Sequence, residues 1–147
     1  MPAPPPGRPA AYIRALVIHY HGNIVRVLFI AAVVLLLVLT PIFGTILPGG
    51  IIFEVLSTVV LLGLAGLTSP RGRGVIIADA IVAGIGVVLI ETLALELYSS
   101  DALNAFFARE LVGLTFIFAL YFSVKTLRAM QLHQTGKGPT PHEFDNV

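Results

Sequence analysis

The 147-residue chain contains no cysteine. This absence excludes disulfides, iron–sulfur clusters, thiol catalysis and zinc sites with cysteine ligands. Charged residues are also scarce, at 12% of the sequence, which is half of the ~25% that is typical of soluble domains. The formal net charge is only +1, so the chain lacks the basic excess of a nucleic-acid-binding protein. We therefore predict no nucleic-acid partner.

Long apolar segments make up most of what is present, since hydrophobic residues account for 56% of the chain. Runs of 18 or more apolar residues with few charges are typical of transmembrane helices, because about 20 residues cross a ~30 Å hydrocarbon layer. A backbone in lipid must satisfy its own hydrogen bonds, which favours helices, and the alternating segments of a barrel are missing. The pattern predicts an all-α fold, a four-helix transmembrane bundle in residues 23–130, with spans at 24–47, 51–69, 75–97 and 104–129.

The segments outside the bundle are more polar. Residues 1–10 contain five prolines, a composition that predicts an extended, flexible tail, either solvated or docked on a neighbouring subunit. Residues 11–22, with the sequence AYIRALVIHYHG, place apolar side chains at helical spacing and predict an amphipathic helix at the membrane interface. Residues 131–147 form a polar C-terminal tail.

The basic residues are distributed unevenly between the two sides of the predicted membrane. Cytoplasmic loops of membrane proteins carry an excess of Lys and Arg. Eight of the nine basic residues lie on the side that holds both termini, and only Arg109 lies on the other. We therefore predict a multi-pass protein of a prokaryotic inner membrane with both termini in the cytoplasm. The eight are Arg8, Arg14, Arg26, Arg71, Arg73, Lys125, Arg128 and Lys137.

Glu54 begins a polar face near the predicted outer end of the second span. Ser57 and Thr58 follow it at i+3 and i+4, so the three side chains share one side of a helix. Ionisable groups inside a span are costly and usually face protein or water. Two interpretations stay open: a polar lining for an ion or substrate, or a helix-to-helix contact in which Glu54 pairs with Arg109.

Glu91 and Glu96 lie near the outer end of the third span. Five residues separate them, so their side chains point about 140° apart on a helix and are poorly placed to share a proton. Solvation at the interface would account for both, and an ion pair with Arg109 is the alternative for Glu91. Arg109 itself either forms such a pair or snorkels to the headgroups. The sequence thus predicts an outer polar cluster of Glu54, Glu91, Glu96 and Arg109.

Asp79 lies at the predicted inner end of the third span. In an early turn of a helix its charge complements the helix dipole. Basic residues flank the neighbouring helix ends, so we predict cytoplasmic ion pairs of Asp79 with Arg71, Arg73, Lys125 or Arg128.

Small residues recur within two of the spans. They let helix backbones approach closely in a membrane, so they predict a compact bundle and surfaces that can pack against other transmembrane helices. The candidates are Gly63 and Gly66 in the second span and Ala80, Ala83, Gly84 and Gly86 in the third.

Constellations that would support a cofactor or catalysis are missing from the sequence. His19 and His21 are two residues apart and so lie on different helix faces, whereas a shared metal favours i,i+4 spacing. The four spans contain no histidine, and catalytic triads, phosphate-binding loops and zinc-protease signatures are absent. We therefore predict no cofactor, no metal site and no enzymatic activity.

Three segments carry a resemblance to a known family: VVLLLVLTPIFG, VLSTVVLLGLAGLTSPRGRG and SVKTLRAM. Through them, residues 24–130 resemble the four-helix region that precedes the pore in small prokaryotic potassium-channel-like proteins. A voltage sensor needs a basic residue at every third position of its fourth helix, but Arg109 and Lys125 are sixteen residues apart with none between them. A filter of the TVGYG type is also absent, so the resemblance implies a pore-less relative.

Two functions follow as hypotheses. The first is a non-enzymatic accessory or structural subunit, which packs in the lipid bilayer against other transmembrane helical subunits of a larger complex. The alternative is a small oligomeric ion channel or transporter with Glu54, Glu91 and Arg109 along its polar path.

Overall fold

A computed structural model of the protein describes residues 21–68, 73–100 and 102–131. These residues form four α-helices: α1, Gly22–Phe43; α2, Gly50–Leu67; α3, Arg73–Leu97; and α4, Leu103–Gln131. Each helix is long and apolar enough to cross a membrane, so the predicted all-α four-helix bundle is confirmed. The interfacial helix expected at 11–22 and the tails at 1–10 and 131–147 lie almost wholly outside the described residues.

The first helix differs most from its predicted span, because it ends at Phe43 and not at residue 47. Pro41 lies in its last turn, and Gly44 follows with φ 80° while its N–H donates to the carbonyl of Thr40 at 2.9 Å. Glycine adopts this left-handed conformation without a steric penalty. The turn into α2 therefore begins at Gly44, and its residues Ile46 and Leu47 fold back into the core.

We call the end of the bundle that contains the 44–49 and 98–100 turns the loop end. The opposite end, which contains the start of α1, the end of α2, the start of α3 and the end of α4, we call the terminal end. Helix α4 packs against both α1 and α3. Helix α2 packs against α1 but only lightly against α3, so it is the least covered of the four.

Close contacts at small residues define the α3–α4 seam. A Cβ on Gly86 would lie 2.6 Å from the ring of Phe116, so only glycine fits there without a shift. A Cβ on Gly84 would lie 3.9 Å from a methyl group of Leu120, and a Cβ on Gly113 would lie 2.9 Å from Glu91 Oε1. The contacts run in opposite directions along the two helices, so α3 and α4 are antiparallel with a fixed register.

The predicted packing residues fall into two groups. Ala83, Gly84 and Gly86 lie at the seam with α4, and Ala80 is half-buried next to them. By contrast, Gly63 and Gly66 of α2 are exposed, and a Cβ on either would meet nothing within 4 Å.

Candidate functional site

Glu54 holds the turn between α1 and α2. One carboxylate oxygen, Oε1, accepts hydrogen bonds from the backbone N–H groups of Ile46 and Leu47, the latter at 2.9 Å. The other, Oε2, accepts the hydroxyl hydrogen of Thr40 of α1 at 2.9 Å. Buried backbone amides that lack an acceptor are costly, above all in lipid. Glu54 therefore satisfies two amides of a buried turn and ties α2 to α1.

The pairing of Glu54 with Arg109 stays a prediction. The two oxygens of Glu54 bond to Thr40 of α1 and to the amides of the turn, and α2 and α4 have little direct contact. Arg109 is buried on α4 at the loop end. Of the two interpretations of Glu54, the contacts favour a contact between helices, because Glu54 bonds to Thr40 of α1.

The other acidic residues of the predicted outer cluster are differently placed. Glu91 packs over Gly113, one helical turn from Arg109 and Glu110 of α4. Glu110 lies near enough to Glu91 for the two carboxylates to interact electrostatically. Glu96 is exposed at the end of α3. Glu54 thus contacts α1 and the turn that follows it, while Glu91 contacts α4 near Glu110, a residue outside the predicted cluster.

A second polar group lies at the terminal end and joins α1, α2 and α3. The guanidinium of Arg26 donates from Nε to the carbonyl of Ala65 at 2.7 Å and from Nη2 to that of Thr68 at 2.9 Å. The last carbonyls of a helix have no partner within the helix, so Arg26 caps the end of α2. The Thr68 hydroxyl in turn contacts Asp79 Oδ2 at 3.0 Å.

The contacts of Asp79 differ from the expected ion pairs. Among the described residues Asp79 pairs with none of Arg73, Lys125 and Arg128, and Arg71 lies outside them. Asp79 is on the buried face of α3, whereas those three basic side chains are exposed. The ammonium of Lys125 lies 5.7 Å from the centre of the Tyr121 ring. Hydropathy correctly places Asp79 and the basic residues at the same end of the bundle. It does not show that their side chains point in different directions.

Three buried hydroxyls on α4 behave in two ways. Those of Thr115 and Thr126 donate to carbonyls four residues earlier, Leu111 at 2.9 Å and Phe122 at 2.8 Å. This is the usual arrangement for hydroxyls inside a helix. The hydroxyl of Ser123 has no hydrogen-bond partner within the described part of the chain, although the residue is fully buried.

The sequence did not identify Arg26 and Thr68 as members of the polar group at the terminal end, nor Ser123 as a buried hydroxyl. Arg26 counted only as a marker of topology, and the two hydroxyl residues lay unnoticed at the ends of apolar runs. The carboxylate of Asp79 within a predicted span was a usable signal, because a buried carboxylate needs polar neighbours. Only the relative rotation of the helices identifies those neighbours.

Two lateral grooves flank α2. One, of about 230 Å³, lies between α2 and α3 and is lined mainly by apolar side chains such as Phe53, Val60 and Ile85. The other, of about 270 Å³, lies between α1 and α2 and reaches Glu54 and Thr58. Both follow from the sparse packing of α2.

Within the described ranges, no group of three or more His, Asp or Glu side chains could hold a metal ion. Comparison of the chain with protein families, curated proteins and solved structures found no match. The resemblance to potassium-channel-like proteins therefore stays a prediction.

Proposed function

We propose that this multi-pass membrane protein is a non-enzymatic accessory subunit that packs against transmembrane helices of other subunits. Each of its four helices is long and apolar enough to cross a membrane, which supports a position in a lipid bilayer. The observation that carries the proposal is the outward face of α2, where Gly63 and Gly66 stand open.

The open face of α2 consists of residues that share one side of the helix. Val59, Gly63 and Gly66 follow at spacings of four and three, which places them on the same side. That side is opposite to the one that carries the buried residues Leu61 and Ala65. A glycine there leaves a shallow depression, into which a second helix can bring its backbone.

The occupant that fits this face is a transmembrane helix. Glycine is about 1 kcal/mol less favourable than alanine inside a helix, and it offers lipid chains no side chain to contact. In lipid, helices associate through close van der Waals packing, because apolar burial gives no advantage over lipid tails. An exposed pair of glycines on the least covered helix supports a partner helix.

The test is recovery of partner subunits from native membranes in mild detergent, quantified by mass spectrometry. The double variant Gly63→Leu/Gly66→Leu fills the depression and should reduce recovery of specific membrane subunits about tenfold, the effect of losing about 1.4 kcal/mol. Gly74→Leu is the matched control, because Gly74 is also exposed with nothing near its Cβ position.

The control variant should recover the same partners as the natural chain. A chain that purifies alone under every mild condition would contradict the proposal, as would partners retained equally by both variants. The alternative, an ion path lined by Glu54, Glu91 and Arg109, has less support because Thr40 of α1 and the turn amides engage both oxygens of Glu54.

A further inference from the structure

Two buried polar atoms at the terminal end have no hydrogen-bond partner within the described residues. They are Oδ1 of Asp79 on α3 and Oγ of Ser123 on α4. Both residues have 0% exposure. Buried polar atoms are nearly always partnered, and an exception often marks a bound water or ion.

The register of the α3–α4 seam brings these two residues together. Gly86 contacts Phe116 across the seam, and the helices are antiparallel. Asp79 and Ser123 each lie seven residues from that contact, towards the terminal end. Seven residues are two turns, so both residues stay on the facing sides of their helices at the same depth, about 10 Å from the Gly86 contact.

The hydroxyl of Thr68 lies beside Asp79 with one hydrogen for two acceptors. Its oxygen is 2.7 Å from the carbonyl of Leu64 and 3.0 Å from Asp79 Oδ2. A hydroxyl has a single hydrogen but two lone pairs. When the hydrogen goes to the nearer acceptor, Leu64, the oxygens of Thr68 and Asp79 face each other with lone pairs. A cation that both oxygens coordinate from one side offsets that repulsion.

The charge of Asp79 needs compensation. Burial of a carboxylate is costly unless a cation or a proton accompanies it. Arg26 reaches Asp79 only through Thr68, because its hydrogen bonds go to the carbonyls of Ala65 and Thr68. None of the basic residues that the structure describes forms an ion pair with Asp79.

From these contacts we propose an internal site for a small monovalent cation of the sodium class, with oxygen ligands from Asp79, Thr68 and Ser123. The hydroxyl of Thr126, one turn from Ser123, donates its hydrogen to Phe122, so its lone pairs can serve as a further ligand. A proton on Asp79 would neutralise the charge but leave Ser123 without a partner. The site is separate from the open face of α2 and does not depend on the accessory role.

The test is thermal unfolding of the full chain in detergent micelles, with sodium chloride compared with N-methylglucamine chloride at one ionic strength and one pH. A ligand that binds only the folded state raises Tm with its concentration. We expect Tm to rise with sodium in the natural chain and not in Asp79→Asn. Ser123→Ala keeps the charge and removes one ligand, so the sodium concentration at half-effect should rise about tenfold. Broadening of the sodium NMR signal should be largest with the natural chain, smaller with Ser123→Ala and absent with Asp79→Asn.

Thr115→Ala is the matched control, because its hydroxyl lies on the same helix but is engaged with Leu111. It should retain the full response to sodium. If Asp79→Asn does not fold, Ser123→Ala decides the question. Equal Tm in the two salts would overturn the proposal, as would an unchanged response in Ser123→Ala. Stabilisation by acid without any effect of sodium would assign a proton to Asp79 and also overturn it.

Discussion

Helices α4 and α2 are attached to the bundle in different ways. Helix α4 is held along its length by close contacts with α1 and α3, such as that of Phe116 with Gly86. Helix α2 has few contacts with α3, and its described side-chain hydrogen bonds to the rest of the bundle lie near its two ends. Glu54 bonds to Thr40 and the 44–49 turn at one end, and Arg26 caps the other.

The difference follows from what can hold helices together in lipid. Apolar burial between helices gains little there, so attachment depends on tight packing or on hydrogen bonds. The α3–α4 seam uses tight packing. Helix α2 packs on α1 along one face and is hydrogen-bonded near its ends, which leaves its outward face exposed for another helix.

The largest expected effect is the loss of the loop-end attachment of α2. Glu54→Ala removes the acceptor of two buried backbone amides, Ile46 and Leu47, and should destabilise the fold by about 3 kcal/mol. Detergent-induced unfolding in mixed micelles measures this. Glu96→Ala, at an exposed position, should change stability by less than about 0.5 kcal/mol. A similar small change for both variants would mean that α2 is held by apolar packing after all.

A smaller effect should come from the seam. Gly86→Ala places a methyl group 2.6 Å from the Phe116 ring, an overpacking that should cost about 2 kcal/mol. Gly84→Ala is the control, since its new methyl would make an ordinary contact with Leu120 at 3.9 Å; it should be neutral or slightly stabilising. The same unfolding assay applies, and an equal loss in both would show that the seam is not closely packed at Gly86.

The smallest of the three effects should arise at the terminal end. Arg26→Met keeps the apolar stem but removes the donors to the carbonyls of Ala65 and Thr68. We expect a loss of about 1 kcal/mol, in the range of interhelical hydrogen bonds in membranes. Arg128→Met, at an exposed position on α4, should leave stability nearly unchanged. If both variants lose the same amount, the cap on α2 contributes nothing specific.

The sequence predicts the four helices well because hydropathy and helix length are local properties. It placed the end of α1 four residues late, because that end depends on the left-handed conformation of Gly44 and on amides that bond to Glu54. The hydropathy of the segment reveals neither feature.

The candidate site was less predictable, because it depends on helix rotation and register. Gly63 and Gly86 are equivalent small residues in the sequence, yet one is open and the other touches Phe116. We predicted ion pairs for Asp79, whereas its hydrogen-bond contact in the described part of the chain is with Thr68, which follows α2. Which residues face it is a property of the assembled bundle.

The unequal lengths of the helices imply a hydrophobic mismatch with the bilayer. Helix α2 has 18 residues and α4 has 29, which correspond to about 27 Å and about 43 Å at 1.5 Å per residue. Glu54 and Thr68 are only about 21 Å apart along α2, less than the ~30 Å of an average hydrocarbon layer. We therefore expect the bilayer to thin beside α2, while α4 tilts or projects from the membrane. A thicker bilayer would draw the polar contacts at the two ends of α2 into hydrocarbon.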